Sequence, residues 1–264
     1  MKLHFLGTSH GLASLKRANS SCLVMSKGGS LLVDCGEPAS ATLLRMAVLP
    51  EQPCALVLTH LHPDHTGGFT QLIQTLQLKR RTSPFTVYMP EEGIAVFKTL
   101  LRTVYLYDSV LPFQLRFRAI RPEIVFEDTS FSFRFYPNEH LACYRAISMD
   151  EGYPAPCESF SVHVTADQQS IVFSGDIKNP GELIAPLRKG ADLLVSELVH
   201  FPPVGYAEIP QGLLPGKICF THYKTTREDA SLEKDDPALV SLNKKIIFAE
   251  DGMEIEVLKQ APNR

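Results

Sequence analysis

Four side chains able to hold a divalent metal fall within six residues of one another. They are His60, His62, Asp64 and His65, in Thr59-His60-Leu61-His62-Pro63-Asp64-His65-Thr66-Gly67-Gly68. Imidazole is a good ligand for zinc and related ions, and a carboxylate adds charge. His60 and His62 are two apart, so on a locally extended chain they face the same side. Pro63 fixes the turn that follows and suits the first position of a helix, which aims Asp64 and His65 elsewhere. Gly67-Gly68 lets the backbone pass close to whatever sits there. Two ligand pairs aimed differently suggest two adjacent ions.

The elements that must position these residues can be read from apolar runs broken by Gly, Pro and Asp. Strands are expected at Lys2–Leu6, Ser21–Ser26, Leu31–Asp34, Ala55–Thr59, Phe85–Tyr88, Gln114–Arg118, Phe131–Phe135, Phe160–Thr165, Ser170–Ser174, Leu193–Ser196, Lys217–Phe220, Lys245–Phe248 and Met253–Val257. Lys27-Gly28-Gly29-Ser30 and Ala166-Asp167-Gln168-Gln169 read as hairpin turns. Helices are expected at Ala39–Val48, Gly67–Leu78, Glu91–Leu101, Gly181–Arg188 and Pro237–Leu242, the first on the stripe Leu43, Leu44, Ala47 and Val48. Tyr144–Glu158, with Gly152, Pro154 and Pro156, reads as a loop that could wall a substrate pocket. Strands in meander runs with interspersed helices predict packed sheets with helices outside.

The motif His60-x-His62-x-Asp64-His65 resembles the signature of the metallo-β-lactamase superfamily. Further residues of that pattern follow in order near strand ends: His140 after Phe131–Phe135, Asp176 after Ser170–Ser174 and His222 after Lys217–Phe220. The resemblance implies an α/β fold, a four-layer αβ/βα sandwich formed by residues 1–264 as a single domain. It implies that His60, His62 and His140 hold one ion, that Asp64, His65 and His222 hold a second, and that Asp176 bridges them. Asp34, in Asp34-Cys35-Gly36, matches the family's early Asp-x-Gly, usually a supporting residue.

Phe5-Leu6-Gly7-Thr8-Ser9, Arg17-x-Asn19-Ser20-Ser21 and Asp192-Leu193-Leu194-Val195-Ser196-Glu197 resemble the ribonuclease Z and phosphodiesterase branch. There the glutamate pairs with a histidine that helps protonate the leaving group, so Glu197 joins Asp64 as a candidate catalytic residue. Ribonuclease Z has a His-Ser-Thr segment after that glutamate. This chain instead reads His200-Phe201-Pro202-Pro203, and His200 is a substitute partner only three residues away. Many bacterial members also carry a long tRNA-gripping arm between the third metal histidine and the bridging aspartate. The short stretch from His140 to Asp176 leaves little room for one. His4 and His163, inside strands, read as packed; His10, at a strand end, could line the pocket.

Two divalent ions would lower the pKa of bound water and stabilise a developing anion, so hydrolysis through a metal-bridging hydroxide follows from such ligands. The expected ions are zinc first, with manganese or iron as alternatives. The expected substrate is a small anionic, phosphodiester or nucleotide-like molecule. Thioester or lactone hydrolysis on the same fold, or non-hydrolytic metal binding, are the alternatives. The 264 residues carry a net charge of -3, which does not suit a general polyanion binder, so tRNA is not expected. Eight basic residues between Lys79 and Arg121 face only Glu91, Glu92 and Asp108, which reads as a solvated face or an anion-guiding rim. No run of about 18 apolar residues predicts a membrane span, and no secretory signal is expected at Met1–Gly7. Six cysteines without a Cys-x-x-Cys pair suit a reduced, cytoplasmic protein, for which a homodimer is compatible.

Overall fold

A computed structural model describes residues 1–122, 124–128, 130–223 and 236–259. Two seven-stranded mixed sheets face each other. The first contains β1 (Lys2–Gly7), β2 (Ser21–Ser26), β3 (Gly29–Val33), β4 (Pro53–Val57), β5 (Phe85–Met89) and β6 (Leu115–Ala119). The second contains β7 (Val125–Asp128), β8 (Phe131–Pro137), β9 (Phe160–Ala166), β10 (Gln169–Phe173), β11 (Leu193–Ser196), β12 (Lys217–Phe220) and β13 (Lys245–Phe248). The chain then returns as β14 (Glu254–Glu256) to pair antiparallel with β1, so the first sheet runs β14-β1-β2-β3-β4-β5-β6. The second runs β13-β12-β11-β10-β9-β8-β7.

Three apolar clusters set the layers. Between the sheets lie Phe5, Val24, Val57, Phe133, Phe135, Val162, Phe173 and Val195, drawn from both sheets. The alternation expected for Phe131, Phe133 and Phe135 turns all three rings into this layer, beside Tyr88. Outside the first sheet, α1 (Ala39–Arg45), α3 (Phe69–Leu78) and α4 (Glu91–Thr103) pack on Leu32, Leu56 and Val87. In α3, Phe69, Leu72, Ile73 and Leu76 are buried at helical spacing. Outside the second sheet, α6 (Ile184–Leu187), α7 (Pro237–Ser241) and the 3₁₀ turn Pro203–Glu208 cover Val172, Leu194 and Ile218. The order helix, sheet, sheet, helix is the four-layer αβ/βα sandwich.

Two expectations are corrected. Tyr144–Glu158 is not wholly loop: Tyr144–Asp150 forms a helix, α5. It buries none of its residues and so leaves no apolar stripe from which to read it. Strand β7 was also not expected; its short, acidic Val125–Asp128 pairs with β8 at the sheet edge. Both expected hairpins form, and Asp167 and Gln168 take the positive φ that a tight hairpin turn requires. The basic stretch is partly structural. Arg81 is fully buried and donates to the carbonyls of Pro50, Ser83 and Pro84, while Arg121 pairs with Glu91 at 2.8 Å. None of the six cysteines is joined in a disulfide among the described residues. Among the described residues no helix is long and apolar enough to cross a membrane.

Candidate metal centre

The chemistry-bearing residues gather just past the C-terminal ends of β3, β4, β8, β10, β11 and β12, which open at one edge of the sandwich. The two sheets are joined there by the Phe160 amide donating to the Thr59 carbonyl at 3.0 Å. Gly175, with φ +57°, keeps this seam closed. A Cβ on it would lie 2.8 Å from the Phe160 carbonyl oxygen.

His60, His62, His140 and Asp176 form one group of ligand-type atoms, and Asp64, His65, Asp176 and His222 form a second. In each, the atoms lie within 4.8 Å of one another, and Asp176 belongs to both. Its carboxylate is 3.3 Å from His65 Nε2, 3.5 Å from His222 Nε2, 3.6 Å from His140 Nε2 and 3.8 Å from His60 Nε2. Asp64 lies 3.0 Å from His222 Nε2. His60 Nε2, His65 Nε2 and Asp176 Oδ1 are buried with no hydrogen-bond partner. Buried polar atoms are rarely left so, and one divalent cation in each group would satisfy all three. The donor set therefore fits two ions sharing one carboxylate.

Local structure accounts for these positions. Pro63 starts the short helix α2 (Pro63–Thr66), which carries Asp64 and His65 inward. The Asp34-Cys35-Gly36 segment is zipped onto this turn: the Cys35 amide donates to the His65 carbonyl, and the Gly68 amide to the Cys35 carbonyl, each at 2.8 Å. Gly36 allows the approach, since a Cβ there would sit 2.3 Å from the Asp64 carbonyl oxygen. Asp34 and His222 both hold positive φ, at 60° and 49°. Such strain in non-glycine residues clusters at functional sites.

Asp34 accepts from His65 Nδ1 at 2.8 Å, from the Thr59 amide at 2.8 Å and from the Thr59 hydroxyl at 3.0 Å. With its proton committed to Asp34, that hydroxyl accepts from His60 Nδ1 at 3.1 Å. Both histidines thereby carry the proton on Nδ1 and present Nε2 to the ligand cluster. Thr59 was not anticipated as a functional residue; its signal was its place at the strand end beside His60.

Burial holds His60 well below the usual imidazole range, helped by neighbouring His65. Burial also lowers His62, and pushes His140 down to about 4. Burial opposes charge on His65 too, but Asp176 and Asp34 outweigh it and raise this group well above its usual value. Burial would raise Asp176, but His222 and His65 hold it well below the carboxylate range. Asp64 is also lowered, with burial outweighed by His222 and His65.

Glu197 is 1% exposed and adjoins this cluster. It accepts from the amides of Ile177, Val199 and His200 at 2.9, 3.0 and 3.1 Å, and from His200 Nδ1 at 2.8 Å. The Glu197 amide donates to Ser174 Oγ, and the Tyr206 hydroxyl to the Glu197 carbonyl. The His200 ring stands 4.6 Å from that of His140 and 5.7 Å from that of His222. Ser174 and Tyr206 were missed in the sequence, as neither carries a motif. His10 is buried, 6.4 Å from His222 between ring centroids. His163 is buried in β9, and His4 is half-buried beside Glu254 at 3.4 Å.

Residues 1–245 match the family model described as Anti-Pycsar protein Apyc1. The chain belongs to this family. Its fold is that of metallo-β-lactamase fold proteins, and its sequence is similar to ribonucleases Z and BN. This chain is 35% identical over 135 residues to ribonuclease Z of Crocosphaera subtropica, covering 50% of this chain and 42% of that protein. It is 34% identical over 170 residues to ribonuclease BN of Erwinia tasmaniensis, covering 62% of this chain and 55% of that protein. The aligned stretch is less than two thirds of either relative. In fold it is similar to the metallo-β-lactamase fold protein YhfI of Bacillus subtilis (TM-score 0.72, 20% identity, 96% of this chain and 98% of that one). It is likewise similar to human tRNase Z, short form (TM-score 0.73, 19% identity, 98% and 100%).

Proposed function

We propose that this chain is a dinuclear metal-dependent phosphodiesterase acting on a small, nucleotide-like substrate. The observation that carries the reading is the pair of His/Asp groups sharing Asp176, with the Glu197–His200 pair against their edge. His60, His62 and His140 would hold one ion, Asp64, His65 and His222 the other, and Asp176 both. Zinc suits this nitrogen-rich set best. Two such ions, when bound, supply positive charge for a phosphoryl group and acidify water.

The remaining steps belong to the chain's own residues. Asp64 orients the attacking water or takes its proton. Asp34 and Thr59 hold the imidazoles in the ligating tautomer. Burial opposes protonation of His200, but the hydrogen bond and charge of Glu197 outweigh it and raise this group. Its side chain remains 33% exposed, open to the substrate side. His200 is thus suited to deliver a proton to the departing oxygen, with Glu197 fixing Nδ1 and leaving Nε2 to donate.

The ribonucleases among its relatives suggest RNA as one substrate. A net charge of -3 favours a smaller one. So does the link from His140 to Asp176, taken up by α5, β9 and β10. The test is turnover of bis(p-nitrophenyl) phosphate by protein loaded with zinc or manganese, run beside a thioester and a lactone panel. Phosphodiester turnover that Asp64→Ala abolishes is the expected result. Turnover confined to thioesters or lactones would overturn the reading.

A further inference from the structure

The geometry points to Tyr144 as a substrate-positioning residue whose ring stacks a heteroaromatic base of the substrate at the mouth of the metal centre. This inference rests on the phosphodiesterase reading and adds a nucleoside arm to it. The Tyr144 ring lies 5.8 Å from that of His62, edge-on at 85°. It is 47% exposed, so one face remains open beside a half-buried ligand histidine.

The helix that carries it is held by polar ties rather than by a buried face. Arg145 pairs with Glu139 at 2.9 Å and donates to the Pro156 carbonyl at 3.1 Å. Glu92, on α4, accepts from the amides of Cys157 and Glu158. Arg145 thus ties the first turn of α5 to Glu139 and Pro156, and Glu92 holds the segment that follows the helix, while no residue of α5 is buried. A half-exposed aromatic ring beside a cluster of metal-ligand side chains is an arrangement suited to grip a base by its π-face. Base–aromatic stacking is sequence-tolerant and strong enough to matter. A phosphodiester bound at the metals would bring an attached nucleoside within reach of this ring.

The experiment compares two esters with the same leaving group on metal-loaded protein, thymidine 5′-(p-nitrophenyl phosphate) and methyl p-nitrophenyl phosphate. Tyr144→Ala is expected to lower the preference for the thymidine ester, as the ratio of kcat/KM values, by about tenfold and mainly through KM. Tyr144→Phe should keep the preference. Binding of thymidine 5′-monophosphate and methyl phosphate, measured by calorimetry on the same proteins, reads the contact without turnover. Loss of thymidine 5′-monophosphate affinity in Tyr144→Ala supports the inference even if neither ester is hydrolysed, a result that would sink the phosphodiesterase reading alone. An unmoved preference with unmoved nucleotide affinity overturns the inference and leaves phosphodiester hydrolysis standing.

Discussion

Asp34 and His65 meet at 2.8 Å, carboxylate to Nδ1, and the same carboxylate reaches His60 through the Thr59 hydroxyl. One side chain on β3's end thus sets a histidine in each of the two ligand groups. Replacing Asp34 by Asn puts an amide N–H where two donors already point, so one histidine loses its orienting bond. Asp34→Asn is expected to weaken metal retention and turnover by about 10–100-fold, measured as metals per chain after dialysis. Unchanged retention would show that Asp34 serves only the turn.

Thr59 separates the two halves of that arrangement. Thr59→Val keeps the shape but removes the hydroxyl between Asp34 and His60. It should weaken only the group containing His60, by about tenfold, and Thr59→Ser should restore it. Competition with a chromophoric chelator resolves the two ions; equal weakening of both would contradict a relay through Thr59.

Proton release should differ between the two groups. His60, His62 and His140 sit below the usual imidazole range, the last at about 4, so they are neutral and ready to ligate at neutral pH. His65 is raised, so in metal-free protein it carries a proton that an ion must displace. Affinity at the His65 group should therefore rise with pH, while affinity at the His60 group stays flat between about pH 6 and 8. Calorimetry in buffers of different ionisation enthalpy should find about one proton released at the His65 group. No proton release at either group would refute this division.

The Glu197–His200 pair makes a claim about leaving groups. A proton donor matters most when the departing oxygen is basic. His200→Ala should slow an alkyl phosphodiester by about 10²–10⁴-fold and a p-nitrophenyl ester far less, with Glu197→Gln in the same direction. Because the His200 pKa is raised, donation persists at lower pH and is lost as pH rises through that pKa. The wild-type alkaline limb should vanish in His200→Ala. A uniform loss on both ester types would instead mark His200 as merely structural.

Much of this was legible in the chain because metal ligands at strand ends leave a double trace, a ligating residue type and an apolar run before it. His60, Asp176 and His222 each follow such a run. Thr59, which carried no motif of its own, acts through a contact with a distant segment. Thr59 and Asp34 are 25 residues apart, and neither type is distinctive alone. The Glu197–His200 bond depends on the backbone turning sharply after β11 so that three amides converge on one carboxylate. Helix α5 escaped notice because polar ties hold it, and the apolar periodicity that reveals most helices is missing there.

The most direct measurement is a metal titration of metal-free protein, following phosphodiester turnover against ions bound per chain, for wild type and Asp176→Asn. Activity should climb until two ions are bound, and Asp176→Asn should fail to hold both and lose turnover. Full activity at one ion per chain, or two retained ions and undiminished turnover in Asp176→Asn, would contradict a dinuclear site joined by Asp176.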